Sequence, residues 1–200
     1  MGRALETIFI RVWVIMKLNL YFCLFSLAGG VILGIGPALK VISELFVVHG
    51  FEYINITLKE GWQLFKHHFQ RGNVLFLGFV MISAFLAYNL YLSLQVQGLL
   101  FLMIDFILLF ALLYLFSTFM YVLIFDASYE ISIGHLVRLG FTSSFSSFTT
   151  FLKMIIGSGV ILGFTWEYKG LILFGLAAML FIWNYLATKY WRTEIEGRLE

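Results

Sequence analysis

The residues that could do chemistry in this chain are few, and most of them stand inside apolar sequence. Asp105 interrupts the run LLFLMIDFILLFALL, and an acid at membrane depth is by default a functional-site hypothesis. Three readings stay open for it. Residues 106–125 carry no charge and alone form about 30 Å of helix, so Asp105 can lie at the outer headgroups. It can instead pair with a structural partner such as Asn89, or serve a path for ions or protons. Lys40 and Glu44 are four residues apart and can neutralise one another across one helical turn.

The remaining titratable residues form no recognised constellation. His67 and His68 are adjacent and so fall on different helix faces, while His49 and His135 lie in other segments, so no metal site is expected. Cys23 is the lone cysteine, which leaves neither a disulfide framework nor a cysteine metal centre. The sequence holds no phosphate-binding loop, no dinucleotide fingerprint and no nucleophile with a supporting base and acid. The expectation is a protein without enzymatic activity, cofactor or nucleic-acid partner.

Composition says what must position these residues. The chain is 62% hydrophobic and 12% charged, whereas a soluble domain is about a quarter charged, so this is an integral membrane protein whose first partner is the lipid bilayer. Its 200 residues give room for several spans and no separate soluble block, which predicts one membrane domain over 1–200. The N-terminal stretch has no small-residue cleavage pattern and reads as a retained anchor.

Apolar runs predict spans over 18–35, 73–93, 99–125 and 170–188, with a shorter one over 151–165. The stretch 38–48 is too short to cross alone. Pro37, the only proline, follows Gly34 and Gly36, and the positive-inside rule decides what it does. A single crossing through 18–35 leaves Arg3, Arg11 and Lys17 on the side opposite Lys59, Lys66, Arg71, Arg138, Lys189 and Arg192. If the chain turns at Gly36-Pro37 and 38–48 returns, all of these cations become cytoplasmic, with Lys169 as the exception. A hairpin turning at that dipeptide is therefore expected, with Asn19, Gly30, Gly34, Gly36 and Pro37 packing it against neighbouring spans. The alternative is a kinked first span that runs into a surface helix.

Two amphipathic helices are expected on the cytoplasmic face. Thr57-Leu58-Lys59-Glu60 is a capping box, and Leu58, Trp62, Phe65 and Phe69 follow on one face, which predicts a short helix holding Trp62, Phe65 and Phe69 against the membrane or a partner. Phe141, Phe145, Phe148 and Phe151 recur at helical spacing with serines and threonines between them; these polar residues read as a solvated or helix-packing face. Gly159 and Gly163 form a small-residue packing motif. The fold class is thus an all-α membrane bundle with an N-terminal Gly-Pro hairpin, about four further spans and two surface helices.

Asn19-Leu20 in an apolar segment, then IGPALKVI, then LFKHHFQRGNVL resemble the YesL-like family of bacterial membrane proteins. Gly36, Pro37 and Ala38 match its turn, and Phe65, Lys66 and Phe69 its Phe-rich basic helix; Gly34 stands where a threonine is common. The resemblance implies association with carbohydrate ABC importers, glycan-degrading enzymes and sensor kinases. It implies an accessory subunit that binds importer permease subunits in the bacterial cell membrane, and the cation distribution puts both termini on the cytoplasmic side. An independent transporter or channel and a membrane partner of a sensor kinase are the alternatives.

Overall fold

A computed structural model describes the backbone of residues 2–199 and the side chains of residues 4–189. Arg3 and Arg192, two of the cations that orient the chain, therefore lie outside the described side chains. Among the described residues eight helices follow in order: α1 (Gly2–Ala28), α2 (Ile32–His49), α3 (Leu58–Ser93), α4 (Leu99–Ser128), α5 (Ile133–Ser146), α6 (Phe148–Glu167), α7 (Leu171–Phe174) and α8 (Leu176–Leu199). Among the described residues, α1, α2, α3, α4 and α6 are long and apolar enough to cross a membrane. The chain is an all-α membrane helical bundle.

The N-terminal hairpin exists, but its turn lies six residues before the expected place. α1 ends in a Schellman motif: the Gly30 N–H donates to the Leu27 carbonyl, the Val31 N–H donates to the Ser26 carbonyl, and Gly30 takes φ +78°. Val31 follows at φ +65°, which is rare for a β-branched residue. Gly36 and Pro37 sit inside α2 instead of making the turn. The reason is that the Gly29-Gly30 pair already supplies the left-handed position that reversal needs, and a proline within an apolar helix is tolerated when packed neighbours surround it. α2 therefore has 18 residues, about 27 Å, and is long enough to cross by itself. Arg11 lies over the Phe51 ring and the Lys17 ammonium donates to the Tyr53 carbonyl, so the first half of α1 and the connection after α2 share one end of the hairpin.

The glycines of α2 serve close approach. A Cβ on Gly34 would fall 2.2 Å from the Ser26 carbonyl oxygen, and one on Gly36 would fall 2.5 Å from that of Gly72. α1 and α3 can thus lie against α2 almost backbone to backbone. α2 becomes the central helix, touched by α1, α3, α4 and α8. Its Ala38, Val41, Ile42, Leu45 and Phe46 join Val14, Leu18 and Phe25 of α1, Tyr121 and Ile124 of α4 and Phe181 of α8 in the buried core.

Two further expectations are corrected. The segment 58–72 is not a separate surface helix but the first part of a 36-residue α3, because nothing between Leu58 and Ser93 breaks the helix and Gly72 is held against Pro37. Its aromatic face turns inward: Phe65 is buried and stacks on Phe25 at 5.4 Å, on Trp62 at 5.7 Å and edge-on against Phe69 at 5.5 Å. Trp62 alone of the three is exposed. α5 likewise packs against α4 through Gly140, Ser143 and Ser144, while Phe141 and Phe145 lie along the edge of that contact, largely exposed but with their rings on Tyr114 of α4 at 5.1 and 4.3 Å. The serines are the packing face. Gly159 and Gly163 meet nothing; the glycine that packs is Gly157, covered by the Trp183 indole, whose Nε1 donates to the Lys153 carbonyl at 3.0 Å.

The run 170–188 is broken at Gly175. Asn19, fully buried on α1, bridges the break: its Nδ2 donates to the carbonyls of Ile172 and Leu173 at 3.1 and 2.6 Å, and its Oδ1 accepts from the N–H groups of Ala177 and Ala178 at 2.9 and 3.4 Å. One amide thus supplies partners to the end of α7 and the start of α8, both of which a helix break leaves wanting. Asn19 packs the α7–α8 break and not the hairpin turn.

Candidate functional site

The candidate site is a charged cleft of about 910 Å³ formed by α2, α3 and the α4–α5 connection. Spacing on α3 creates one wall. Leu64, His67, His68 and Arg71 recur at steps of three, one and three and all four line the cleft, which corrects the expectation that the adjacent His67 and His68 fall on different faces: relative to Leu64 they are at i+3 and i+4, which one face holds together. α2 contributes Lys40 and Glu44, one helical turn apart, and α4 contributes Asp126 two residues before its end. The connection 129–132 closes the far side with Tyr129, Glu130, Ile131 and Ser132.

Asp126 is the centre of the network. Its carboxylate is 2% exposed; Oδ2 lies 2.7 Å from the Lys40 ammonium, and Oδ1 accepts from Arg71 Nε at 2.8 Å. Lys40 also donates to the Asp126 carbonyl at 3.1 Å, and Arg71 to that of Ile131 at 2.5 Å. Two cations therefore converge on one buried acid, and α2, α3 and α4 are joined at a point where a lone charge would be strongly disfavoured. Glu44 stands 3.8 Å from Lys40 and 3.2 Å from His68. The expected pairing of Lys40 with Glu44 is accordingly the weaker one, because Asp126 reaches the ammonium more closely. A second bridge between α2 and α3 joins His49 to both oxygens of Glu60, at 2.9 and 3.1 Å.

His67 and His68 share the cleft wall with their rings 4.6 Å apart, edge to face. Among the described residues, no group of three or more histidines, cysteines and acids is arranged to hold a metal ion.

Asp105 and Asn89 lie elsewhere, on the outer arm where α3 and α4 pair beyond the rest of the bundle. Asn89 donates to the Phe85 carbonyl of its own helix at 2.8 Å and does not bond Asp105. Asp105 is half-buried, and its Oδ1 is shielded without a hydrogen-bond partner. Of the three readings open for Asp105, the pairing with Asn89 is not made, because Asn89 turns back onto its own backbone.

Residues 15–90, from α1 into the outer part of α3, match the family described as "Protein of unknown function, DUF624", to which YesL-like proteins belong. The match covers less than half of the chain and includes Asn19, the hairpin, Lys40, Glu44 and Arg71, but not Asp126. No curated protein and no solved structure matches the chain.

Proposed function

We propose that the chain is a non-catalytic accessory subunit of a bacterial carbohydrate ABC importer, seated in the cell membrane with both termini and the 49–72 segment on the cytoplasmic side. It holds permease subunits through the lipid-facing arm of α3 and α4. The YesL-like resemblance supplies the importer context, and the family match over residues 15–90 agrees with that resemblance.

The observation that carries the reading is Asp105. The arm exposes Phe85, Tyr88, Tyr91, Phe106 and Ile107, yet amid them one carboxylate oxygen is shielded and has no hydrogen-bond partner among the described residues. An unpaired acid in such surroundings is disfavoured, and a donor from a neighbouring subunit's span would satisfy it. The other ionised groups at depth compensate one another, with Asp126 between Lys40 and Arg71, so they tie helices together and do not form a file of sites across the bilayer.

Reconstitution separates this reading from autonomous transport. The purified chain in liposomes is expected to pass neither sugars nor inorganic ions above the rate of protein-free vesicles. Flux through the chain alone, abolished by Asp105→Asn, would replace the accessory role with a transporter.

A further inference from the structure

We propose that the cleft between α2, α3 and the α4–α5 connection binds a small zwitterion, in which a phosphate group is joined through a short linker to an ammonium. This inference rests on the cleft alone and is independent of the importer reading.

It begins with what the charge network leaves unused. Arg71 engages Asp126 and the Ile131 carbonyl through Nε and one terminal nitrogen; its other terminal nitrogen has no hydrogen bond among the described residues, and the side chain is 30% exposed. His67, one turn earlier, is exposed on the same wall, and its one hydrogen-bond contact among the described residues is the His68 ring, at 3.5 Å. Donors are thus free on α3. On the other elements, Glu44 of α2 contacts His68 and Lys40 through Oε2, which leaves Oε1, and Glu130 of the α4–α5 connection makes no ion pair among the described residues. Acceptors are free on those elements.

The unused donors lie on α3 and the unused acceptors on α2 and the α4–α5 connection, and that division selects the ligand. A simple anion drawn to Arg71 and His67 would confront Glu44 and Glu130, and a simple cation would confront Lys40 and Arg71. A molecule with both ends satisfies both walls, and each contact would be a charge-assisted hydrogen bond. The cleft volume of about 910 Å³ lies within the range of small-molecule pockets, and Leu64 and Ile131 give it an apolar floor for the linker. Two sources share this chemistry: the headgroup of an ethanolamine phospholipid, or a soluble molecule such as phosphoethanolamine.

The test uses the full-length chain in detergent, with thermal unfolding followed by tryptophan fluorescence. The probes are phosphoethanolamine, inorganic phosphate, glucose and mixed micelles containing dioleoyl phosphatidylethanolamine or dioleoyl phosphatidylglycerol. Saturable stabilisation by phosphoethanolamine or by the ethanolamine lipid is expected, with phosphate and the glycerol lipid at least about tenfold weaker because one wall goes unmatched. A response to phosphoethanolamine with none to the lipid assigns the soluble source, and the converse assigns the lipid. Glu130→Gln and His67→Gln lie outside the Asp126 network, so each should weaken binding about tenfold while leaving the unfolding temperature of the unliganded protein unchanged. Equal stabilisation by both lipids, stabilisation by glucose at the same concentrations, no saturable response, or unaltered binding in both variants would overturn the proposal.

Discussion

Lys40 and Asp126 lie 86 positions apart in the chain and 2.7 Å apart in space, with 4% and 2% of their side chains exposed. Because Arg71 shares the same carboxylate, the two cations depend on the acid more than the acid depends on either of them. Asp126→Leu is therefore expected to be the worst single change in the network, costing about 3–5 kcal/mol by leaving Lys40 buried without its main partner. Lys40→Met should cost less, since Arg71 remains. The double variant should be more stable than the sum of the singles predicts, because the buried ammonium has gone with its partner. Thermal unfolding of all three in detergent checks this, and strict additivity would count against the shared network.

Asn19 gives a second prediction, because one amide serves four backbone groups across the α7–α8 break. Asn19→Leu leaves both carbonyls and both N–H groups without it, at roughly 1–3 kcal/mol for each group left unsatisfied. Asn19→Asp keeps the acceptor for Ala177 but sets an unpaired buried carboxylate against the Ile172 and Leu173 carbonyls, so it should be at least as destabilising as the leucine variant. A leucine variant as stable as wild type would show that the break finds its partners elsewhere.

The glycines divide by position. Gly36→Ala and Gly72→Ala push a Cβ into facing backbone at 2.5 and 2.7 Å, which overpacking places at about 1–3 kcal/mol each. Gly159→Ala and Gly163→Ala meet nothing and should not destabilise; in a helix interior alanine is even the better residue. Unfolding temperatures that fall for the first pair and hold or rise for the second bear this out. The reverse order would refute the α2–α3 contact.

How far the sequence reveals this arrangement depends on the range of each interaction. The start of α3 is legible because Thr57 and Glu60 are three residues apart, and the Thr57 hydroxyl does accept from the Glu60 N–H at 3.3 Å. Even there, the Glu60 carboxylate goes to His49 and not back to the cap, a choice made by the neighbouring helix. A returning N-terminal arm is legible from the cation distribution, but the proline drew the turn to Gly36-Pro37, while the Schellman geometry at Gly30 needed no proline. The charge network is hidden for a different reason. Lys40, Arg71 and Asp126 come from three helices, Asp126 falls one residue past the predicted span, and Glu44, four residues from Lys40, offers a nearer partner in sequence. The available signal was charge in or beside apolar segments, Lys40 and Asp126, and one cation among several in the basic stretch before 73–93, which names candidates without saying which meet.

Topology is open to a direct check by cysteine labelling in a Cys23→Ser background. A cysteine at Lys59 should be protected from an impermeant thiol reagent in intact cells and react after permeabilisation, whereas one at Val96, in the connection between α3 and α4, should react in intact cells. The opposite pattern would invert the orientation and move the charged cleft to the outer face.

The measurement that bears most directly on the accessory-subunit reading is quantitative mass spectrometry of proteins that co-purify with the full-length chain from its native membranes in a mild detergent. The account predicts that permease subunits of a carbohydrate importer are enriched with the wild type and are reduced at least about tenfold with Asp105→Leu, the loss of one charge-assisted contact in an apolar interface, while the variant stays folded. Recovery of the chain without permease subunits, or with a sensor kinase in their place, would contradict it.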